Sequence, residues 1–316
     1  MPRVSIVTAT YNYSSVLRYA ILSVLAQRFQ DFEHLIIGDG CTDESEQVVA
    51  EFNDPRLHWH NLPTNTGSQS IPNNTGLAMA RGEYIAYLGH DDLWHPSHLE
   101  KLIEALEREE ADWAHPLAVM IGPPGSGVHQ LIGLVPPNGN FAAASSATSG
   151  IVHRRSLVEK IGEWKDYRTL DLAPDIEFRR RALRAGAKTV YVENLSVFKF
   201  PSAWRKNVYR SRPFEEQAAY WIRMQTEPDF IERELIAIAN SYEFKMWENW
   251  SATSDIPKGI SPTAPRGALI ESWRRYRGLP PNELPPRPWW EIPQSIARRF
   301  LADATRPVRK KLQRML

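Results

Sequence analysis

The chain has 316 residues, 42% of them hydrophobic and 24% charged, with a formal net charge of +1 at pH 7. That length and apolar content support one large core plus an extension, or two domains. The near-zero net charge argues against a dedicated nucleic-acid binder, and the single cysteine, Cys41, excludes a disulfide framework and fits a reducing compartment.

Met1-Pro2-Arg3 runs directly into a β-rich stretch, with no apolar h-region or cleavage site. No apolar run approaches the roughly 20 residues that span a bilayer. The expectation is a cytoplasmic protein, or one lying peripherally on the inner membrane face.

Val4 to Thr10 is expected as the first buried strand. Tyr11-Asn12-Tyr13 breaks it, and Ser14 or Ser15 can cap a helix with Leu17, Ala20, Ile21, Val24 and Leu25 on one face. Phe32 to Gly38 reads as strand two, Asp39-Gly40-Cys41-Thr42-Asp43 as a turn, and Val48, Val49 and Phe52 as the inner face of the next helix. Leu57 to Leu62 is expected as a third strand and Asn74 to Ala80 as a short helix. Tyr84 to Leu88, bounded by Gly82 and Gly89, reads as a fourth, buried strand. Pro96 then opens a helix with Leu99, Leu102, Ile103 and Leu106 on one side. This alternation implies a mostly parallel, Rossmann-like sheet flanked by helices.

In such a sheet, ligands bind beyond the carboxyl ends of the strands. Three features lie there. Tyr11 can stack on a base whose edge Thr8 can bond, although the same residues suit an ordinary strand-to-helix turn. Asp39 can accept a uracil or thymine ring N–H or a ribose hydroxyl, or can start an Asx turn with Gly40. Asp91 and Asp92 can hold Mg²⁺ or Mn²⁺ and, through it, a diphosphate, or form a solvated acidic turn before a helix. Neither a Walker motif nor G-x-G-x-x-G follows strand one, so phosphates need another partner.

Four stretches together resemble the inverting family 2 glycosyltransferases of GT-A fold: Val4 to Asn12, Asp39 to Asp43, Asn74 to Ile85, and His90-Asp91-Asp92 with Pro96. The resemblance covers roughly the first 110 residues. It implies a nucleotide-sugar donor site made by Thr8, Ala9, Tyr11, Asp39 and Asp91, with Asp92 beside them and a metal on the donor diphosphate. The chain departs from the pattern at Gly89 and Gly38, where acids are usual, and at Asn73, where an arginine is usual. Asn73 is nonetheless carried as a nucleotide contact, and His90 as a substitute metal ligand or a hydrogen-bond partner.

Asp112 to Ile121 is expected as a strand, Gln130 to Val135 as a hairpin return, Phe141 to Gly150 as a loop over the acceptor, and Ile151 to Arg155 as a strand. His153 and Arg154 can meet the diphosphate, or His153 can be structural. Pro174 opens a helix that Gly186 ends, which sets Asp175 at a helix N-terminus, where the dipole favours a carboxylate. The resemblance makes Asp175 the catalytic base, with Glu177 as the second acid and Asp171 as the fallback. Val190 to Val192 and Val197 to Phe200 are expected as the last strands of a catalytic domain over residues 1–204, with a donor half over 1–110 and an acceptor half over 111–204.

Residues 205–316 form an extension. Phe214 to Arg223 and Phe230 to Trp250 read as helices. Residues 255–293 carry nine prolines, too many for regular structure, and are expected to wrap the domain or line the acceptor cleft. Trp289 and Trp290 can stack on a sugar or pack. Ser295 to Leu316 is basic and amphipathic, suited to an anionic membrane or simply a solvated end.

The expected function is sugar transfer from a nucleotide-diphosphate sugar, UDP-linked, to a hydroxyl of a glycan or lipid-linked glycan, with inversion and with Mn²⁺ or Mg²⁺. Two alternatives stand beside it. One is a non-catalytic nucleotide- or glycan-binding relative. The other is a metal hydrolase built on His90, Asp91, Asp92, His95 and His98.

Overall fold

A computed structural model describes residues 1–141, 146–261, 264–288 and 291. Trp289, Trp290 and the basic tail lie outside the described residues. The strands are β1 (Val4–Thr10), β2 (Phe32–Gly38), β3 (Leu57–Asn61), β4 (Tyr84–Tyr87), β5 (Leu93–Trp94), β6 (Trp113–Ile121), β7 (His129–Ile132), β8 (Val152–Arg154) and β9 (Thr189–Lys199). The helices are α1 (Ser14–Leu25), α2 (Ser45–Glu51), α3 (Ser70–Met79), α4 (His98–Arg108), α5 (Ser156–Ile161), α6 (Pro174–Arg184), α7 (Val208–Ser211), α8 (Glu215–Thr226), α9 (Phe230–Glu243), α10 (Met246–Thr253) and α11 (Ala268–Tyr276).

One sheet carries the order β3-β2-β1-β4-β8-β6-β9-β5, with β7 added against β6. The first four strands are parallel, pairing Val4 with both Phe32 and Tyr84. Both faces of this half are covered, so its strands are apolar on both sides. Val4, Ile6, Tyr84 and Ala86 pack with Leu99, Leu102, Ile103 and Leu106 of α4. Val7, Ile85 and Tyr87 face the other way, toward Trp164 and Phe178. Beyond β4 the sheet is mixed: β8 runs antiparallel to both β4 and β6, β6 and β9 are parallel, and β5 and β7 are antiparallel to β9 and β6 respectively.

Three expectations change in the structure. The two strands expected over 190–200 are one strand, β9, which absorbs its irregular middle as register shifts opposite Pro116 and Leu117. The long helix expected over 230–250 breaks into α9 and α10 at Lys245, whose φ is 49°. The proline-rich stretch expected to lack regular structure contains α11, which fits the proline-free interval between Pro265 and Pro280. Among the described residues, no helix is long and apolar enough to cross a membrane.

Candidate active site

Because β1, β2 and β4 are parallel, their carboxyl ends share one edge, and the loops after them share one cavity of about 400 Å³. Ala9 and Tyr11 follow or end β1, Asp39 follows β2, and His90 and Asp91 follow β4; all line it. Asp175, at the start of α6, lines it from the other half of the sheet.

The loops are stitched locally. Asn12, at φ 45°, turns its Oδ1 to accept the Thr42 and Asp43 N–H groups, and Asp43 accepts the Ser14 N–H at the start of α1. Gly40 sits at φ +72°, and a Cβ there would meet the Asn65 nitrogen at 2.5 Å, so the turn after β2 needs glycine. Asp39 organises the facing loop. It accepts the Thr66 N–H and hydroxyl, the Gly67 N–H and the Asn65 amide. Burial raises the Asp39 carboxyl, and those donors pull against that rise.

Asp91 is 9% exposed, and its carboxylate accepts no hydrogen bond from a described residue, although its backbone carbonyl takes one from Gln217. Asp92 is turned the opposite way and is fully buried. It accepts from Ser149 Oγ, from the Phe200 N–H at 3.0 Å and from Lys199 Nζ at 2.9 Å. Burial works against the Lys199 ammonium, but Asp92 and then Asp91 outweigh it and hold the lysine above its usual range. A tight turn over Thr148–Gly150 joins the two acidic segments. Ser149 bonds Asp92 and the Gly89 N–H, while Thr148 donates to Asp175 at 3.2 Å.

The remaining expected site residues are placed elsewhere. Thr8 is buried and bonds His34 Nε2 at 2.8 Å rather than facing the cavity. Asn73 is buried inside α3 and does not line the cavity. His90 lines the cavity, but its two ring nitrogens meet Thr10 Oγ1 and the Tyr209 hydroxyl, which leaves it a hydrogen-bond partner. Antiparallel β8 pairs Arg154 with Tyr84, at the amino end of β4, so Arg154 meets Glu83 on the far edge of the sheet. His153 is enclosed between Tyr87 and Trp113, and burial lowers its pKa to about 4. Glu177 is held by Arg181 and Lys165, and Asp171 by Arg287. His95 bonds Ser97, and His98 bonds Ser196 and stacks on Trp94, so neither joins His90 and Asp91 as a hydrolase cluster would require.

Both departing glycines sit in close quarters. A Cβ at Gly89 would lie 3.0 Å from Asp92 Oδ2 and 3.2 Å from Asp91 Oδ1. A Cβ at Gly38 would meet Asn61 Oδ1 at 2.5 Å. No group of three or more His, Cys, Asp or Glu side chains among the described residues forms a metal cage. What the cavity offers is one uncommitted carboxylate, Asp91. That donor set fits Mg²⁺ or Mn²⁺ completed by phosphate oxygens and water, the usual manner for these hard cations.

Residues that sequence reasoning missed come from later segments: Thr148, Ser149, Lys199, Tyr209, Arg274 and Arg277. The last two sit at i, i+3 spacing in the proline-free interval, a signal visible in hindsight.

Residues 5–147 match the family model described as Glycosyl transferase family 2. The chain carries a family 2 glycosyltransferase domain. An uncharacterized glycosyltransferase of Nostoc sp. is 32% identical over 174 residues, 50% of this chain and 53% of that protein. The poly(ribitol-phosphate) beta-N-acetylglucosaminyltransferase TarP of Staphylococcus aureus is 34% identical over 116 residues, 35% of each chain. The chain thus spans about half or less of the length of these curated relatives. Among solved structures, S. aureus TarS in complex with UDP-GlcNAc superposes with a TM-score of 0.55 and 20% identity, covering 81% of this chain and 77% of that one. The glycosyltransferase domain therefore has the GT-A fold, with a helical extension behind it.

Proposed function

We propose that the chain is an inverting glycosyltransferase that moves a sugar from a nucleotide-diphosphate sugar, UDP-linked, to a hydroxyl of a glycan or lipid-linked glycan acceptor in glycoconjugate synthesis. One observation carries this reading: Asp39, Asp91 and Asp175, from three separate elements, line a single cavity. The UDP assignment draws on the fold likeness to TarS, which was crystallised with UDP-GlcNAc.

In this reading the β1 and β2 ends hold the nucleoside, with Tyr11 against the base and Asp39 shaping the loop beside it. Asp91 would hold Mg²⁺ or Mn²⁺ beside the donor. When bound, the cation neutralises charge that builds on the departing diphosphate. Asp175 takes the acceptor hydroxyl proton as that oxygen attacks the anomeric carbon from the face opposite the diphosphate. The C–O bond to the phosphate breaks, and the configuration inverts. Thr148 fixes the Asp175 rotamer through its 3.2 Å hydrogen bond. A retaining double displacement would need a second carboxylate as nucleophile at the sugar. In this reading Asp91 serves the cation, Asp39 is held by Thr66, Gly67 and Asn65, and Asp92 is taken by Lys199 and does not line the cavity.

A thermal-shift screen against UDP-, GDP- and dTDP-sugars with Mn²⁺ tests the reading. A donor at about a hundred times its Kd stabilises the protein by about 2.7 kcal/mol. If no nucleotide sugar raises the melting temperature and none is consumed with an acceptor mixture, the transferase reading is wrong.

A further inference from the structure

Among the described residues, three cations line the candidate donor cavity: Lys199, Arg274 and Arg277. Lys199 is paired with Asp92 at 2.9 Å. Arg274 is buried, lies 3.6 Å from Glu271, and spends its guanidinium on the Gly67 and Pro280 carbonyls and Asn65. Arg277 differs. It donates to the Trp273 carbonyl and to Ser202 Oγ, lies over the Tyr209 ring at 5.7 Å, and pairs with no carboxylate among the described residues.

Its position is built rather than incidental. Arg277 caps the C-terminus of α11, where the helix dipole favours a cation. The last carbonyls of α11 are taken by the chain around α7: Asn207 N–H donates to the Tyr276 carbonyl and Tyr209 N–H to that of Arg277. Tyr209 in turn bonds His90, the neighbour of Asp91. The guanidinium is therefore fixed on the same cavity wall as the Asp91 segment. Arg277 is partly buried, and Asp91 attracts it from beyond ion-pair distance without pairing with it, so an anion entering the cavity meets a cation that no carboxylate has taken. The guanidinium fork matches phosphate oxygens, and its charge does not depend on a metal.

We propose that Arg277 is the diphosphate clamp of the donor site, supplying from the C-terminal extension the positive charge that the family-matching segment lacks. That segment has no phosphate-binding glycine loop, has Asn73 where an arginine is usual, and offers one free carboxylate for a cation. The inference rests on the transferase reading and sharpens it: the extension completes the donor site.

The test is calorimetric titration of the full chain with inorganic pyrophosphate, UDP, GDP and uridine, each with EDTA and with Mn²⁺. Arg277→Gln weakens pyrophosphate and whichever nucleoside diphosphate binds by tenfold or more in EDTA, and leaves uridine affinity unchanged. Arg277→Lys retains part of the pyrophosphate affinity, and Arg275→Gln, on the exposed side of the same helix, changes nothing. The unliganded melting temperature of each variant checks folding. If wild-type protein binds UDP or GDP and Arg277→Gln binds it and pyrophosphate equally well, this inference fails while the transferase reading stands. If wild-type protein binds neither nucleoside diphosphate with or without Mn²⁺, both fall.

Discussion

Asp92→Asn separates a structural acid from a metal ligand. The wild-type carboxylate is fully buried and accepts three donors: Lys199 Nζ, Ser149 Oγ and the Phe200 N–H. An asparagine offers one acceptor oxygen and one donor NH₂. The NH₂ must face either the Phe200 N–H or the Ser149–Lys199 pair, so at least one buried donor loses its partner. Lys199 also loses its direct counter-charge. Breaking a buried ion pair from one side costs about 3–5 kcal/mol. The Lys199 side chain keeps 25% of its exposure, which places the cost near the low end, about 3 kcal/mol. For a chain of this size that lowers the melting temperature by about 4–5 °C. Removing both charges with Asp92→Asn and Lys199→Met recovers at least half of the loss, because an apolar replacement of a buried pair is often near neutral. The assay is thermal melting of the three proteins at one pH and salt concentration, alongside UDP titration with and without Mn²⁺. An Asp92→Asn protein that melts within about 1 °C of wild type, yet loses its Mn²⁺-dependent UDP binding, would refute the assignment of Asp92 to the fold.

Asp175→Asn keeps an oxygen for Thr148 and sits half-buried at the cavity wall, so it leaves the melting temperature nearly unchanged and lowers turnover by about 10²-fold or more. Full turnover in that variant, measured as donor consumption with acceptor, removes Asp175 from the proton transfer. Gly89→Asp restores the usual acid but crowds Asp92 and Asp91, and so destabilises by about 1–3 kcal/mol without tightening Mn²⁺ binding. Denaturant titrations of that variant decide the point. Acid stability follows from four buried histidines whose pKa values burial lowers from 6.5, to about 3 for His34 and His98 and about 4 for His115 and His153. The unfolded chain takes up their protons below pH 6.5, whereas the folded chain does not until about pH 3–4. Stability therefore falls as pH drops through that window, by about 1.4 kcal/mol per pH unit per histidine. Urea midpoints that stay level between pH 6.5 and 4 would contradict this.

The sequence by itself determined the parallel half of the fold. The apolar runs at 4–10, 32–38 and 84–87 are short, bounded by turn residues and separated by helical spacing, so local chemistry sufficed to place β1, β2 and β4 and the loops at their ends. That is why Tyr11, Asp39 and Asp91 were legible as neighbours: parallel strands bring their carboxyl ends to one edge whatever packs around them. The tertiary structure decided what is not periodic. Adjacent in the chain, Asp91 and Asp92 part company, one facing the cavity and the other clasped by Lys199, because β9 arrives from more than 100 residues away. Arg154 is lost to the far edge because β8 runs antiparallel, a direction no local pattern encodes. Arg274 and Arg277 reach the cavity from α11 and its C-terminal cap, and Tyr209 of α7 meets His90, only when the extension folds back over the site. Contacts of such sequence separation are set by how the layers close on one another, and no local window of the chain carries that information.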